Sequence, residues 1–467
     1  MDRKNSKKIG VLFTLADFYR RRRPELTGML FRAWRERVAA VLHPNFDLFF
    51  PDPAHDEQEF ENRVDACRNE GCGLVLLLPM AYTASGAAQT ALTNLPLPLL
   101  IVSSARDFTL PITMDGDHLF ANQSLHGVQD IAHALRKMGR PFSIRAGHFE
   151  QAGFPEALET SCKIGLSASL FFQGRVGQIG GSLPGMLDFT FDKNSIDRLY
   201  GFQQVDLTPQ DLTEQVDSVK ETEISRFITW ANETFSIDEG ITPEELATTA
   251  RYALGLEKLV VERELDALGL NFSSLLNEGC ETLPFLGASR LLSRGVGYGG
   301  EGDVLTALLN SALWNINHES TFSELYCPDY ANSQIMLSHM GECNLALANT
   351  NLPRTLKPRV FPWGKISRPG VPVFQMKPGT ITITSISEHP RWNNFQLVTL
   401  LGEVQESPEH PNLDVPYTRV WMGENMNRII EEYSLSGGTH HVVVTYGDVR
   451  AELKTLADYC GMELYSL

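Results

Sequence analysis

Five short apolar runs in the first 149 residues, IGVLFTL, FDLFF, GLVLLLPM, PLLIVSS and FSIRAGHF, alternate with stretches of helical periodicity over 24–42, 56–70, 84–93 and 116–139. Runs that are apolar throughout suit strands buried on both faces, the condition of a parallel sheet covered by helices. Crossovers between parallel strands are right-handed, so the pattern predicts a flavodoxin-like α/β domain over 1–172. Ligands of such sheets sit beyond the carboxyl ends of the strands, where loops run into helices. The helix expected over 116–139 opens at that edge, with Ala121, Leu125, Val128, Ala132 and Leu135 as its buried stripe. Gln123 and His126 fall on its first turns and are the polar groups best placed to touch a ligand, although a solvated helix face has the same polar spacing.

A chain of 467 residues exceeds one ordinary core, and two further domains are expected. Residues 173–320 read as a second α/β domain. It contains a long helix opened by a capping box, Thr242 with Glu245 and Pro243 at the first position, and an amphipathic helix, VLTALLNSALWNI, for which Asp303 is the natural cap. In 321–467 the proline-rich NLPRTLKPRVFPWGKISRPGVP reads as irregular chain. TITITSI, FQLVTLLGEV, YTRVWM and HHVVVTY follow, each bounded by turn residues, and predict an antiparallel sheet or small barrel closed by the helix VRAELKTLADYCG.

Charge and cysteine usage narrow the partners. A net charge of −17 argues against nonspecific nucleic-acid binding and against attraction to anionic lipid. The seven cysteines are scattered and include no CxxC pair, so a disulfide framework is not expected and a reducing cytoplasm is. The N-terminal stretch carries basic flanks around a short apolar run broken by Asp17, which predicts neither a signal peptide nor a membrane span. The partners left are small molecules and further copies of the chain.

RGVGYGGEGDV, residues 294–304, holds Gly295, Gly297 and Gly300 at the GxGxxG spacing of a dinucleotide loop. That loop needs a strand before it and a helix after it. The preceding LPFLGASRLLSR has helical spacing, and Glu301 and Asp303 would bring negative charge to the phosphate position. A glycine-flanked carboxylate suits a hard cation instead. Glu324, His339, His440 and His441 are candidate partners for Glu301, a mixed oxygen and nitrogen set suited to manganese, cobalt or magnesium. Each of them is also explained by an ordinary satisfied surface or core position. A structural zinc built from Cys327, His339 and Cys343 lacks the paired short spacing of zinc modules.

GVGYGGEGD, TFSELY, LSHMGEC and GGTHH, in that order, resemble the motifs of the L-arabinose isomerase family, and more distantly those of L-fucose isomerases; ANQSLHG resembles that family's N-Q-[ST]-x-H-G segment. The resemblance implies an aldose–ketose isomerase that works through an enediol on a monosaccharide, activated by a divalent metal, Mn2+ first and Co2+ or Mg2+ as alternatives. It implies Glu301, Glu324, His339 and His441 as metal ligands, with Glu301 and Glu324 as the acid/base pair. Gln123 and His126 would be substrate contacts lent by a neighbouring subunit of a homohexamer, and Met186, Tyr82 and His440 would line the substrate. Two segments depart from the family pattern, TLADFYRRRRPEL and SLLNEGCET, which leaves sugar identity open. Arg20 to Arg23 follow the first strand and read either as a solvated helix start or as a fork for an acidic sugar. An NAD-dependent oxidoreductase and a non-catalytic sugar-binding relative are the competing functions.

Overall fold

The computed structural model describes residues 8–192, 200–361, 366–391 and 394–467. Packing divides them into two compact units, one reaching to Gln173 with Lys454–Met462 added, the other Gly174–Leu453 with Glu463–Leu467.

In the first unit, β1 (Lys8–Thr14), β2 (Asp47–Phe49), β3 (Leu74–Pro79), β4 (Leu99–Ser103) and β5 (Ser143–Ala146) form a parallel sheet in the order β2-β1-β3-β4-β5, the flavodoxin-like arrangement. Each expected strand is present, and the inner β1, β3 and β4 are buried on both faces, β3 at every position, while the edge strands β2 and β5 are partly exposed. On one face Leu12, Val75, Leu77 and Ile101 pack with Phe60, Val64 and Leu92 from the crossover helices.

The helix expected over 116–139 is two helices, Gly116–Ala121 and Ser124–Lys137. The Asn122 amide between them accepts from the Asp107 backbone N–H at 2.9 Å and donates to the Asp107 carboxylate at 2.8 Å, which holds the chain off the helical path. The buried stripe also differs from expectation. Leu125 is 59% exposed, while Gly127, Val128 and Ile131 are buried. Gly127 sets that rotation: a Cβ there would meet the Thr83 backbone nitrogen at 2.9 Å, so the helix lies flush on residues 81–83. The C-terminal helix Arg450–Cys460, expected to close the barrel, places its second half in this unit, where the Tyr459 hydroxyl donates to the Ser161 carbonyl at 2.8 Å.

The second unit opens with β6 (Arg175–Ile179) and β7 (Gln203–Leu207), continues through the two-residue β8 (Ser236–Ile237), and adds β9 (Ala267–Leu270) and β10 (Gly297–Gly300). Strands β10-β9-β6-β7 form a parallel sheet. The capping box of the helix Pro243–Glu262 forms as expected, Thr242 accepting from the Glu245 N–H.

Next in the chain come β11 (Ser320–Asp329), β12 (Gln334–Ser338), β13 (Thr355–Pro358), β14 (Gly370–Val373), β15 (Gly379–Glu388), β16 (Phe395–Val404), β17 (Tyr417–Trp421), β18 (His441–Tyr446) and β19 (Glu463–Ser466). The order β15-β18-β11-β12-β17-β16, with β16 returning to β15, is a closed antiparallel barrel, and β19 joins β16 in parallel. Closure leaves the barrel strands without a free edge. The proline-rich stretch is less irregular than expected: β13 pairs with β14, and Leu356 and Val371 are fully buried. Its PWGK, 362–365, lies outside the described residues. Among the described residues no helix is long and apolar enough to cross a membrane.

Candidate functional site

The glycine stretch is itself a strand. Gly297–Gly300 forms β10, buried throughout, so two of the fingerprint's glycines, Gly297 and Gly300, lie within a strand and Gly295 in the turn before it, and a dinucleotide loop is not what they build. Their job is close approach. A Cβ on Gly297 would lie 1.9 Å from the Ala307 carbonyl oxygen, and one on Gly299 2.0 Å from that of Asp303, so β10 rests directly on the helix Val304–Asn317. A Cβ on Gly300 would fall 2.5 Å from the His339 ring, and one on Gly302 2.1 Å from the Gly181 carbonyl oxygen. The turn after β10 holds Glu301 at φ 58, a left-handed conformation that costs a non-glycine residue about 1 kcal/mol. The Glu301 carbonyl accepts from the Leu183 N–H at 2.8 Å. Asp303 then caps the helix, accepting from the Thr306 N–H at 2.9 Å.

Glu301 faces the barrel's histidines. Its Oε2 is 3.4 Å from His441 Nε2 and 3.6 Å from His440 Nε2. Glu301, His440 and His441 offer ligand atoms that all lie within 4.8 Å of one another. Glu301 Oε2 and His441 Nε2 are buried without a hydrogen-bond partner. Orphaned acceptor and imidazole atoms that converge in a buried pocket are what a cation site leaves when only its protein groups are considered.

The other two expected ligands, Glu324 and His339, fall outside this three-residue group and stand beside it. Glu324 on β11 stands directly opposite His441 on β18, hence on the same barrel face. His339, at the end of β12, packs edge-on against Phe322 with ring centroids 4.7 Å apart and lies 5.5 Å from the His441 ring. Phe189 stacks on the His441 ring at 5.2 Å. Met186 is half-buried in the segment that Leu183 ties to the Glu301 carbonyl. Gln123, His126 and Tyr82 belong to the first unit, where the Tyr82 and His126 rings stack at 4.7 Å.

Charge at the site is organised by pairs. His441 Nδ1 is 3.0 Å from Asp303 Oδ2, His339 Nδ1 is 2.8 Å from Glu342 Oε2, and His440 Nδ1 is 2.6 Å from Asp188 Oδ2. Burial alone would push the Glu301 carboxyl up, but the imidazoles of His440, His441 and His339 outweigh it and hold the group well below the usual carboxylate range. Burial would lower His440, yet Asp188 and Glu301 carry it up to about 10. His441 is raised in the same way, burial being outweighed by Asp303 and Glu301.

Sequence reasoning missed Glu342, Tyr298, Asp188 and Phe189, and it gave Asp303 only a capping role. The signal for the first two was present, since LSHMGE puts Glu342 one helical turn's spacing beyond His339 and GYGGEGD contains Tyr298. The arginines have their own partners. Arg20 bonds Asp17 and Glu59, Arg21 bonds Asp17, Arg23 bonds Asp117, and Arg22 covers the Phe18 ring at 4.4 Å.

Two family models match the chain: the L-arabinose isomerase central domain over residues 190–319 and the L-arabinose isomerase C-terminal domain over residues 319–463. Curated relatives extend the likeness. The L-arabinose isomerase of Yersinia enterocolitica is 25% identical over 364 residues, covering 75% of this chain and 72% of that protein. Those of Nocardioides sp. and Actinobacillus succinogenes are 24% and 23% identical, each covering 86% of this chain and 81% and 84% of their own.

Proposed function

The chain belongs to the L-arabinose isomerase family and is an aldose–ketose isomerase; from that premise we propose that it holds one divalent cation, manganese foremost, between Glu301, Glu324, His339 and His441. The observation that carries this reading is the pair of buried, unpartnered atoms, Glu301 Oε2 and His441 Nε2, 3.4 Å apart. Two carboxylates and two imidazoles are a donor set that manganese and cobalt accept with positions left open, so the residues fit the group. When bound, such an ion supplies Lewis acidity toward a carbonyl and its neighbouring hydroxyl.

The protein's own groups then handle the proton. One carboxylate of the Glu301–Glu324 pair takes the C2 hydrogen of an open-chain aldose as a proton while O1 gains one, leaving an enediol across C1 and C2. The proton taken from C2 returns to C1 as the O2 hydroxyl gives up its own and becomes the carbonyl, so the proton gained at O1 matches the one lost at O2 and the isomerisation balances. His440 is the substrate-facing imidazole of the three, with 29% of its side chain exposed against 0% for His441 and 3% for His339. Met186 lines the same approach.

Gln123, His126 and Tyr82 act, in this reading, from a neighbouring copy in a cytoplasmic homo-oligomer, a hexamer by family resemblance. Exposed Phe108, Leu110, Ile112, Leu119 and Leu125 support it, because so many large apolar side chains within one short stretch of the N-terminal unit point to a covered surface. Seven free cysteines support a reducing compartment. The division into 1–172, 173–320 and 321–467 belongs to the same reading, and the meeting of the two family models at residue 319 supports its second boundary. Carboxylate partners on Arg20, Arg21 and Arg23 favour a neutral pentose over an acidic sugar.

The test is a panel of aldoses and acidic sugars, L-arabinose included, with Mn2+ added and ketose as the readout. Turnover is expected on a neutral pentose, lost by more than a hundredfold on chelation and restored by Mn2+. Unchanged turnover in the stripped protein refutes the cation. Turnover confined to sugar acids restores the arginines as candidates. Sugar binding without turnover identifies a non-catalytic relative.

A further inference from the structure

Both buried imidazoles of the site are held from behind by carboxylates that stand outside the proposed ligand set. Asp303 and His441 are fully buried, 3.0 Å apart, and Glu342 and His339 are nearly so at 2.8 Å. Glu342 is held on its other oxygen, Oε1, by the Tyr298 hydroxyl at 2.6 Å.

A carboxylate oxygen facing Nδ1 accepts that nitrogen's hydrogen bond, which leaves Nε2 as the ring atom turned toward a cation. For His441 that Nε2 is the orphaned atom facing Glu301. For His339 it is the ring atom that a Cβ on Gly300 would approach to 2.8 Å. Tyr298, Glu301 and Asp303 all fall within Gly297–Asp303, so one stretch supplies a ligand and reaches the supports of both imidazoles.

We propose that Asp303 and the Tyr298–Glu342 pair are positioning residues, fixing His441 and His339 as Nδ1-protonated rings whose Nε2 atoms face a divalent cation. The inference rests on the cation site proposed above. Asp303 also caps a helix, so Asp303→Asn puts the fold at risk. Glu342→Gln and Tyr298→Phe test the same idea without touching a cap.

The measurement is calorimetric titration of stripped protein with cobalt alone, with the visible cobalt spectrum and the melting temperature of the metal-free form recorded alongside. Glu342→Gln is expected to weaken cobalt binding about 10–100-fold. Tyr298→Phe should weaken it less, and the double variant no more than Glu342→Gln alone, because Tyr298 acts through Glu342. The metal-free melting temperatures should stay near the parent's. Parental cobalt affinity in the single variants overturns the proposal, as do additive losses or losses that track unfolding of the metal-free protein. If the unsubstituted protein binds no cobalt, the cation reading fails and takes this one with it; if only the variants match the parent, the cation reading stands and this one alone falls.

Discussion

Strands β3 and β10 are both short, parallel and buried at every residue, yet one reads LVLLLP and the other GYGG. β3 is held by what its side chains displace from water, Leu77 packing with Leu12, Val75 and Ile101 in the N-terminal core. β10 has one side chain to bury, that of Tyr298, and its glycines let a helix and a barrel histidine come within contact of backbone. The first kind of strand is a source of stability that tolerates exchange among apolar residues. The second is a spacer of zero thickness, and its tolerance is set by whatever passes beside it.

Substitutions in the two strands should therefore fail differently. Gly297→Ala is expected to be the most damaging, because its Cβ would meet the Ala307 carbonyl oxygen, a backbone atom of a buried helix, at 1.9 Å. A loss above about 4 kcal/mol is expected, read as insoluble protein or a collapsed thermal transition. Leu77→Ala in the fully buried β3 should cost about 3 kcal/mol by chemical denaturation and leave cobalt affinity untouched. A parallel loss of metal binding would break the comparison.

Gly300→Ala separates packing from chemistry. Its Cβ would fall 2.5 Å from the His339 ring, a side chain rather than backbone, so the ring must shift against Glu342 and Phe322. Cobalt affinity should drop about tenfold, roughly 1.4 kcal/mol, while the melting temperature shifts by only a few degrees. A large melting shift with intact affinity would show that β10 is structural alone.

The smallest effect is electrostatic. Arg106 beside Asp107 outweighs burial and holds that carboxyl down at about 2 against an ordinary 3.8. A depressed carboxyl contributes stability that is fully present above its ordinary value and fades as pH falls from about 4 through 2. With a quarter of both side chains open to solvent, Asp107→Asn should remove about 1 kcal/mol near neutrality and flatten the acid side of the stability profile. An unchanged acid profile would mean that the pairing is no firmer in the folded chain than in the unfolded one.

The strands of the N-terminal sheet were legible because their burial is nearly independent of which neighbour covers them: an apolar run is apolar against any helix. Strands β11 and β12 were not marked as such. Glu324 and His339 were noticed there as chemistry, while a strand interrupted by a bulge after Leu325 shows little clean alternation. β10 was read as a loop for the same reason in reverse, since glycine carries no propensity for the strand it occupies.

Sequence alone determined the N-terminal parallel sheet, an antiparallel sheet or barrel in the last third and the residue types of a mixed carboxylate and imidazole set, because periodicity and motif order are properties of a line. Only the tertiary structure decided that His440 stands beside Glu301, that Asp303 serves both a helix and His441, and that Tyr298 reaches His339 through Glu342. Those relations join residues up to 139 positions apart in the chain, as with Glu301 and His440, and hydrogen bonds act over about 3 Å of space whatever the distance in sequence.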